Sequence, residues 1–392
     1  MKTFYKFLLI SSFLFPYPSF TQGTWTQKSD FGGTRQSAIA FSIGNKGYIG
    51  TGYDGGYTGD FWEWDQITNV WTQQANFSGT ARTQATGFSI GTKGYIGTGN
   101  DGILKQDFWE YDPATNLWTQ KNSFPGGARR DAVGFSIGTK GYIGAGYDGA
   151  YLLDFWEYDP VSDAWTPKAG FTGTARHAAV GFSIGTKGYV GTGGGAAPTN
   201  DFWEWDQSNN TWTQKASLGG TARFRAMGFS IGAKGYIGLG SDGNNASYKD
   251  FWEWNQAGNA WTQKTNFVGT ARSGAVSFSI GNKGFAGTGY DSTGNFKKDF
   301  WEYDPAGIGI NELNNQINIS VRPNPSTGKF ILDSEITKGD ISIYHITGEK
   351  ILSQKTQNGK SEIDLSAQPD GIYFLQLKTE QGSAVEKIVI DK

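Results

Sequence analysis

The chain has 392 residues, room for two or three domains of roughly 100–200 residues each. Glycine is abundant at 58 residues, aromatics make up 15% and charged residues only 18%, a mix that fits short strands and tight turns, not helices or disorder. The net charge of −2, with no Lys/Arg-rich run, excludes a nucleic-acid or anionic-membrane footprint, and zero cysteines with two histidines (His177 and His345) exclude disulfides, thiol catalysis and a His- or Cys-built metal centre.

At the N-terminus, Lys2 and Lys6 flank the start of an apolar run from Phe7 to Phe15. This is the pattern of a secretory signal peptide, and the run is shorter than the roughly 20 residues a bilayer span needs. Residues 1–22 are expected to be removed on export, with cleavage near Ser19 to Gln22. No other segment could cross a membrane, so no transmembrane segment is expected in the mature protein.

From Trp25 to Asp304 the chain repeats itself. Asp-Phe-Trp-Glu-Tyr/Trp occurs six times, with its Trp at 62, 109, 156, 203, 252 and 301, spaced by 47, 47, 47, 49 and 49 residues. Trp-Thr starts at Trp25, Trp71, Trp118, Trp165, Trp212 and Trp261, and Phe-Ser-Ile-Gly at Phe41, Phe88, Phe135, Phe182, Phe229 and Phe278. A period in this range with several strand-like runs per unit indicates propeller blades. In the unit from Ala85 to Gln120, strand A is expected at 85–90, strand B at 95–98, strand C at 107–111 and strand D at 117–120. Aromatic and β-branched residues fill these runs, and Gly, Asn, Asp and Pro fill the turns between them.

The register also predicts how the ring closes. The last unit ends after its strand C at Asp299–Asp304, and the first Trp-Thr precedes any strand A. Trp25–Lys28 is therefore expected to complete the blade begun near Ser273, which leaves no exposed sheet edge at the seam. The expected fold is all-β: a six-bladed propeller closed by an N-terminal strand, then a small Ig-like β-sandwich.

Gly94-Tyr95-Ile96-Gly97-Thr98-Gly99, Tyr111-Asp112-Pro113 and Asn116-Leu117-Trp118 resemble the kelch repeat, with its glycine pair, its turn and its tryptophan. The resemblance extends over residues 23–305, with one departure: the glycine pair is split as Gly-x-Gly. It implies that the D–A and B–C loops share one face around a central funnel.

Residues repeated at one position in every blade read as structure. All 15 tryptophans fall in the repeated motifs and are expected to pack blade against blade. One Arg precedes each strand A (Arg35, Arg82, Arg129, Arg176, Arg223, Arg272), and one Glu lies in each strand C (Glu63, Glu110, Glu157, Glu204, Glu253, Glu302). A buried Arg needs an anionic or carbonyl partner, so these are expected to pair with each other.

Function is expected where the copies differ. The two positions after each Arg vary, and the kelch resemblance puts them around the funnel mouth. Gln36, Gln84, Arg130, Asp131, His177, Phe224 and Arg225 are the candidate ligand-binding residues, mixing charged, amide and aromatic groups as a polar-ligand pocket does. Five B–C loops carry an Asp (Asp54, Asp101, Asp148, Asp242, Asp291), and the fourth has Gly193–Pro198 instead. Asp followed by Gly is a turn signal, and no Asp-x-Asp-x-Asp loop marks calcium, so no metal and no cofactor are expected.

Enzymatic signatures are sparse. Copper oxidases of the galactose oxidase family need a cysteine crosslink that this chain cannot make. A kelch-like group that isomerises sialic acid uses funnel Arg and acidic or His residues, which Arg130, Asp131, His177 and Arg225 could resemble. A glycosidase needs two carboxyls at a set separation. No phosphate loop, Gly-x-Ser-x-Gly elbow or His-Glu-x-x-His motif occurs. The expected activity is therefore non-catalytic binding of a protein or glycan partner through one propeller face, with a secreted carbohydrate-active enzyme as the alternative.

After Asp304 tryptophan disappears, and 306–318 reads as a linker. Seven short strands are expected at 319–321, 329–332, 340–344, 350–354, 361–365, 371–378 and 384–390. Arg322-Pro323-Asn324-Pro325-Ser326-Thr327-Gly328, Ile343-Tyr344-His345-Ile346-Thr347-Gly348, Gly371-Ile372-Tyr373 and Lys387-Ile388-Val389-Ile390 resemble the type A sorting domain of the type IX secretion system. The resemblance covers residues 319–392 and implies the secretion machinery as a partner. It implies an outer cell-surface or released location, with Pro323, Asn324, Pro325, Gly348, Gly371, Tyr373 and Lys387 as motif residues.

Overall fold

The computed structural model describes residues 23–244, 246–306, 319–334, 338–345, 349–357, 359–379 and 382–392. The signal peptide expected at 1–22, nearly all of the expected linker, and Gly348 lie outside the described residues. The chain divides into two compact units, one ending at Gly307 and the other beginning at Ile308. Every regular element among the described residues is a strand.

The first unit is a six-bladed propeller. In blade 2, Thr86–Ile90, Lys93–Gly97, Phe108–Asp112 and Leu117–Lys121 pair antiparallel in that order. Strand B begins two residues earlier than expected because the A–B turn is only Gly91-Thr92, with Ile90 paired to Lys93. Gly91 sits at φ +58°, where a two-residue type II′ hairpin needs glycine at its first central position. The innermost strands, Ile39–Ile43, Thr86–Ile90, Val133–Ile137, Val180–Ile184, Met227–Ile231 and Val276–Ile280, pack each on the next, and the last packs on the first.

The ring closes as the register predicts. Thr24–Gln27 pairs antiparallel with Phe300–Asp304, placing Thr24 opposite Asp304 and Trp25 opposite Tyr303. It is the outermost strand of the blade that starts at Val276.

Between blades the core is aromatic. The strand C Phe of one blade inserts between an aromatic of strand C and the Trp of strand D in the next. Phe155 lies 5.1 Å from the rings of both Trp205 and Trp212, and Phe300 of the last blade closes the circle at 5.0 Å from Trp64 and 5.1 Å from Trp71 of the first. Such edge contacts add to the area that the rings bury. The Gly before each strand B aromatic leaves space for the strand A Phe of the preceding blade: a Cβ on Gly94 would lie 2.2 Å from the Phe41 ring.

The second unit has seven strands, Ile319–Arg322, Lys329–Ser334, Lys338–His345, Lys350–Gln357, Lys360–Asp364, Gly371–Thr379 and Gly382–Ile390. They form two hydrogen-bonded groups, one of Ile319–Arg322, Lys329–Ser334 and Lys360–Asp364 and one of the other four strands. The single pair Gln357–Lys360 joins the two groups. The halves share a core of Leu332, Ile341, Ile343, Ile363, Leu375, Leu377 and Ile388, and Ser326 bridges to Ile390 at the far end of the sheet.

Candidate functional site

The six repeated Arg side chains are almost wholly buried, and their partners differ from the expectation. Each pairs with the Asp that opens Asp-Phe-Trp-Glu, not with the Glu. Arg176 donates to both carboxylate oxygens of Asp201 at 2.7 Å, and Trp203 Nε1 donates to the same carboxylate at 2.7 Å. The Arg176 guanidinium also lies 4.6 Å over the Phe171 ring and donates to the Thr192 carbonyl at 2.9 Å. Thr192 has φ +59°, an outlier for a β-branched residue, and this contact helps hold it there. Arg35, Arg82, Arg129, Arg223 and Arg272 repeat the pairing with Asp60, Asp107, Asp154, Asp250 and Asp299.

The Glu residues are elsewhere because strand register sets each one opposite the strand B aromatic. Tyr48, Tyr95, Tyr142, Tyr189 and Tyr236 donate their hydroxyls to Glu63, Glu110, Glu157, Glu204 and Glu253. The sixth aromatic is Phe285, and Glu302 pairs with Lys28 at 3.0 Å instead. These twelve carboxylates are structural, and the remaining polar chemistry lies in the loops.

The residue two past each Arg builds a collar around the axis. The N–H of Ser37 donates to the Gly274 carbonyl, Gln84 to Ser37, Asp131 to Gln84, Ala178 to Asp131, Arg225 to Ala178 and Gly274 to Arg225, all at 2.8–3.0 Å. All six have φ between +50° and +63°. Five are not glycine, so closing the ring is what keeps them in this sparsely populated region. Beneath the collar runs a narrow channel of about 160 Å³, lined by short residues of the innermost strands such as Ala38, Ala132, Gly134 and Gly181.

The residue one past each Arg is tied to the B–C loop of the same blade. Gln36 bridges to Tyr53, Thr83 to Asn100, Arg130 to Tyr147, His177 to Gly194, Phe224 to Ser241, and Ser273 pairs with Tyr290. The two loop sets therefore share one face.

On that face most of the candidate residues meet at Asp131. Its side chain is 7% exposed. Gln84 Nε2 donates to Asp131 Oδ2 at 2.6 Å, His177 Nδ1 stands 3.5 Å from the same oxygen, and an Arg225 nitrogen stands 3.9 Å from it. The His177 ring is enclosed by Tyr151, Phe224 and Tyr147 at 5.3, 5.4 and 6.0 Å, and Arg130 lies 5.3 Å over the Tyr147 ring. Arg130 Nε and His177 Nδ1 are buried without a hydrogen-bond partner. Gln36 stays on the opposite side of the mouth with Tyr53. Tyr147 and Tyr151 are the neighbours that the sequence reading passed over; the signal was the doubled aromatic of Tyr147-Asp148-Gly149-Ala150-Tyr151.

The loop Asp residues hold their own turns. Asp54, Asp101, Asp148, Asp242 and Asp291 each accept a backbone N–H from two residues further on. Asp291 also takes the Asn295 N–H and pairs with Lys297; burial raises its carboxyl, but these contacts outweigh that and hold it well below the usual range.

In the second unit, Pro323-Asn324-Pro325 is fixed to the last strand by one side chain. Asn324 Oδ1 accepts the Val389 N–H at 2.9 Å, and Nδ2 donates to the Lys387 carbonyl at 2.6 Å. Tyr373 is buried and donates its hydroxyl to the Pro369 carbonyl at 2.8 Å. Residues 320–391 match the family described as secretion system C-terminal sorting domain. The chain is secreted by the type IX system, to the cell surface or beyond. The sorting domain makes the secretion machinery a partner of this protein. No helix among the described residues is long and apolar enough to cross a membrane.

The propeller has a solved counterpart in the structure of YjhT, with a TM-score of 0.61 at 18% identity, over 70% of this chain and 96% of that one. At that identity the likeness establishes the fold alone. No curated protein sequence matches the chain.

Proposed function

We propose that this is an exported kelch-type propeller that binds a glycan at the mouth formed by its D–A and B–C loops. On this reading residues 1–22 are a cleaved signal peptide, 23–305 the binding domain, 306–318 a linker and 319–392 the sorting domain. The observation that carries it is the convergence of Gln84, His177 and Arg225 on the nearly buried Asp131, beside Tyr147, Tyr151 and Phe224. Few, fixed polar groups beside ring faces match a ligand with hydroxyls on its edges and C–H groups on its faces.

A peptide ligand is less well served. Backbone recognition needs free strand edges, and in these loops the N–H and carbonyl groups of Gln36 and Tyr53, and of Arg130 and Tyr147, are spent on each other.

The second reading is an enzyme acting on the same sugar; His177 and Asp131, 3.5 Å apart with His177 Nδ1 lacking a hydrogen-bond partner, are the groups it would use as acid and base. Asp131 is the one carboxylate among the six collar residues, so the collar supplies no second carboxyl of the kind a glycosidase uses.

A glycan array probed with the purified protein tests the binding reading. Asp131→Asn and His177→Ala are expected to weaken binding about tenfold or more, with circular dichroism at the binding temperature checking that each remains folded. Absence of any glycan bound by the wild type, or variants that bind as well as wild type, would sink it. Chemical change in the bound glycan on incubation would establish the enzymatic reading instead.

A further inference from the structure

The mouth has a second aromatic cluster that the Asp131 site does not use. Tyr53 and Tyr57 lie on the B–C loop of blade 1, and Tyr290 and Phe296 on that of blade 6. Their ring centroids form a chain, Tyr57 to Tyr53 at 5.8 Å, Tyr53 to Phe296 at 5.9 Å and Phe296 to Tyr290 at 5.2 Å. In a ring of six, blades 6 and 1 stand opposite blades 3 and 4. The cluster thus faces the wall of Tyr147 and Tyr151 on blade 3 and His177 on blade 4 across the axis.

Each wall keeps one large ring in solvent, Tyr57 at 41% and Tyr151 at 37% exposure. The two occupy the same place in equivalent loops, Tyr53-Asp54-Gly55-Gly56-Tyr57 and Tyr147-Asp148-Gly149-Ala150-Tyr151. The loops between the walls differ. Blade 2 presents Asn100 and Leu104, and in blade 5 Tyr248 is drawn down onto the Arg223 guanidinium, 4.6 Å from it.

The floor between the walls is the collar, with the Gln84–Asp131 hydrogen bond lying on it. Each side of the collar is one backbone hydrogen bond between neighbouring blades. A ligand held by both walls must lie across the mouth, not down the channel.

We propose that the two walls are the ends of one groove for a linear oligosaccharide. Sugar rings stack on Tyr57 and Tyr151, and a hydroxyl between them reaches the Gln84–Asp131 pair. This rests on the glycan reading of the mouth and adds to it the chain length and a second contact surface.

The test is a calorimetric titration of the purified full chain with chito-, cello-, xylo- and manno-oligosaccharides of increasing length. Affinity is expected to rise with length and then level off once both walls are engaged. Tyr57→Ala should weaken binding of the longest chains by roughly three- to tenfold and leave mono- and disaccharides unaffected. Tyr57→Phe, which keeps the ring, should restore it. Because Tyr57 is an exposed loop residue, an unchanged melting temperature is expected and serves as the folding control. Affinity independent of length, or long chains indifferent to Tyr57→Ala, overturns the groove while leaving the Asp131 site standing. Failure of every sugar to bind removes the glycan reading and the groove with it.

Discussion

At the scale of the residue, the same sequence letter means different things by register. Six Arg and six Asp-Phe-Trp-Glu segments are plain to count, and pairing Arg with Glu was a fair inference from charge alone. The choice between Asp and Glu depends on how far each loop carries its Arg along strand C, which no side-chain pattern reports. The consequence is measurable in the fourth blade. Arg176→Met leaves Asp201 without its guanidinium and should cost about 3–5 kcal/mol, nearer the lower figure because that carboxylate is partly exposed. Glu204→Gln keeps an oxygen for the Tyr189 hydroxyl and should cost less than about 1 kcal/mol. Urea unfolding midpoints of the two variants separate the assignments; equal losses would put the Glu back as the stabilising anion.

At the scale of the element, strand positions were readable because period, aromatic runs and turn residues all agree within one blade. The closing strand was readable for a related reason: a count of strands by type left one surplus at the front and one missing at the back. The collar was not readable. Its hydrogen bonds run from backbone to backbone between loops of different blades, through residues as unlike as Gln84, Ala178 and Arg225, so nothing in the side chains repeats. Of the candidate binding residues, those from consecutive loops around Asp131 come together because the collar sets them side by side, whereas Gln36 follows its own loop to Tyr53.

The closing strand carries its own prediction. Trp25 lies 5.1 Å from Phe251 and Phe267 and 5.0 Å from Tyr303. Trp25→Ala should cost about 3–5 kcal/mol, as a large-to-small change in a packed core does. Deleting residues 24–27 should do more, because it bares the Phe300–Asp304 edge to pairing with other molecules. Light scattering during mild heating should then show association that Trp25→Ala alone does not produce. A deletion variant that melts and scatters light as the full chain does would mean that the seam contributes nothing.

At the scale of the whole molecule, one Arg–Asp pair per blade makes acid stability a property of the ring. Burial tends to raise the carboxyls of Asp60, Asp107, Asp201, Asp250 and Asp299, but the hydrogen bonds from Arg outweigh it and hold all five below the usual value of 3.8. Each therefore holds its proton less tightly folded than unfolded. The stability this gives is fully present above pH 3.8 and is lost as pH falls through the lower folded values. Because the five are spread over five blades of a closed ring, no blade can shed its pair without straining its neighbours, and the loss should register as one cooperative transition. Melting temperature is expected to be nearly level from about pH 7 to 5 and to fall steeply below about pH 4. Arg176→Met combined with Asp201→Asn takes one pair out of the set, so its melting temperature should fall less steeply with acid than that of the wild type. Parallel acid curves for the two proteins would mean that the carboxyls paired with Arg are not what acid attacks.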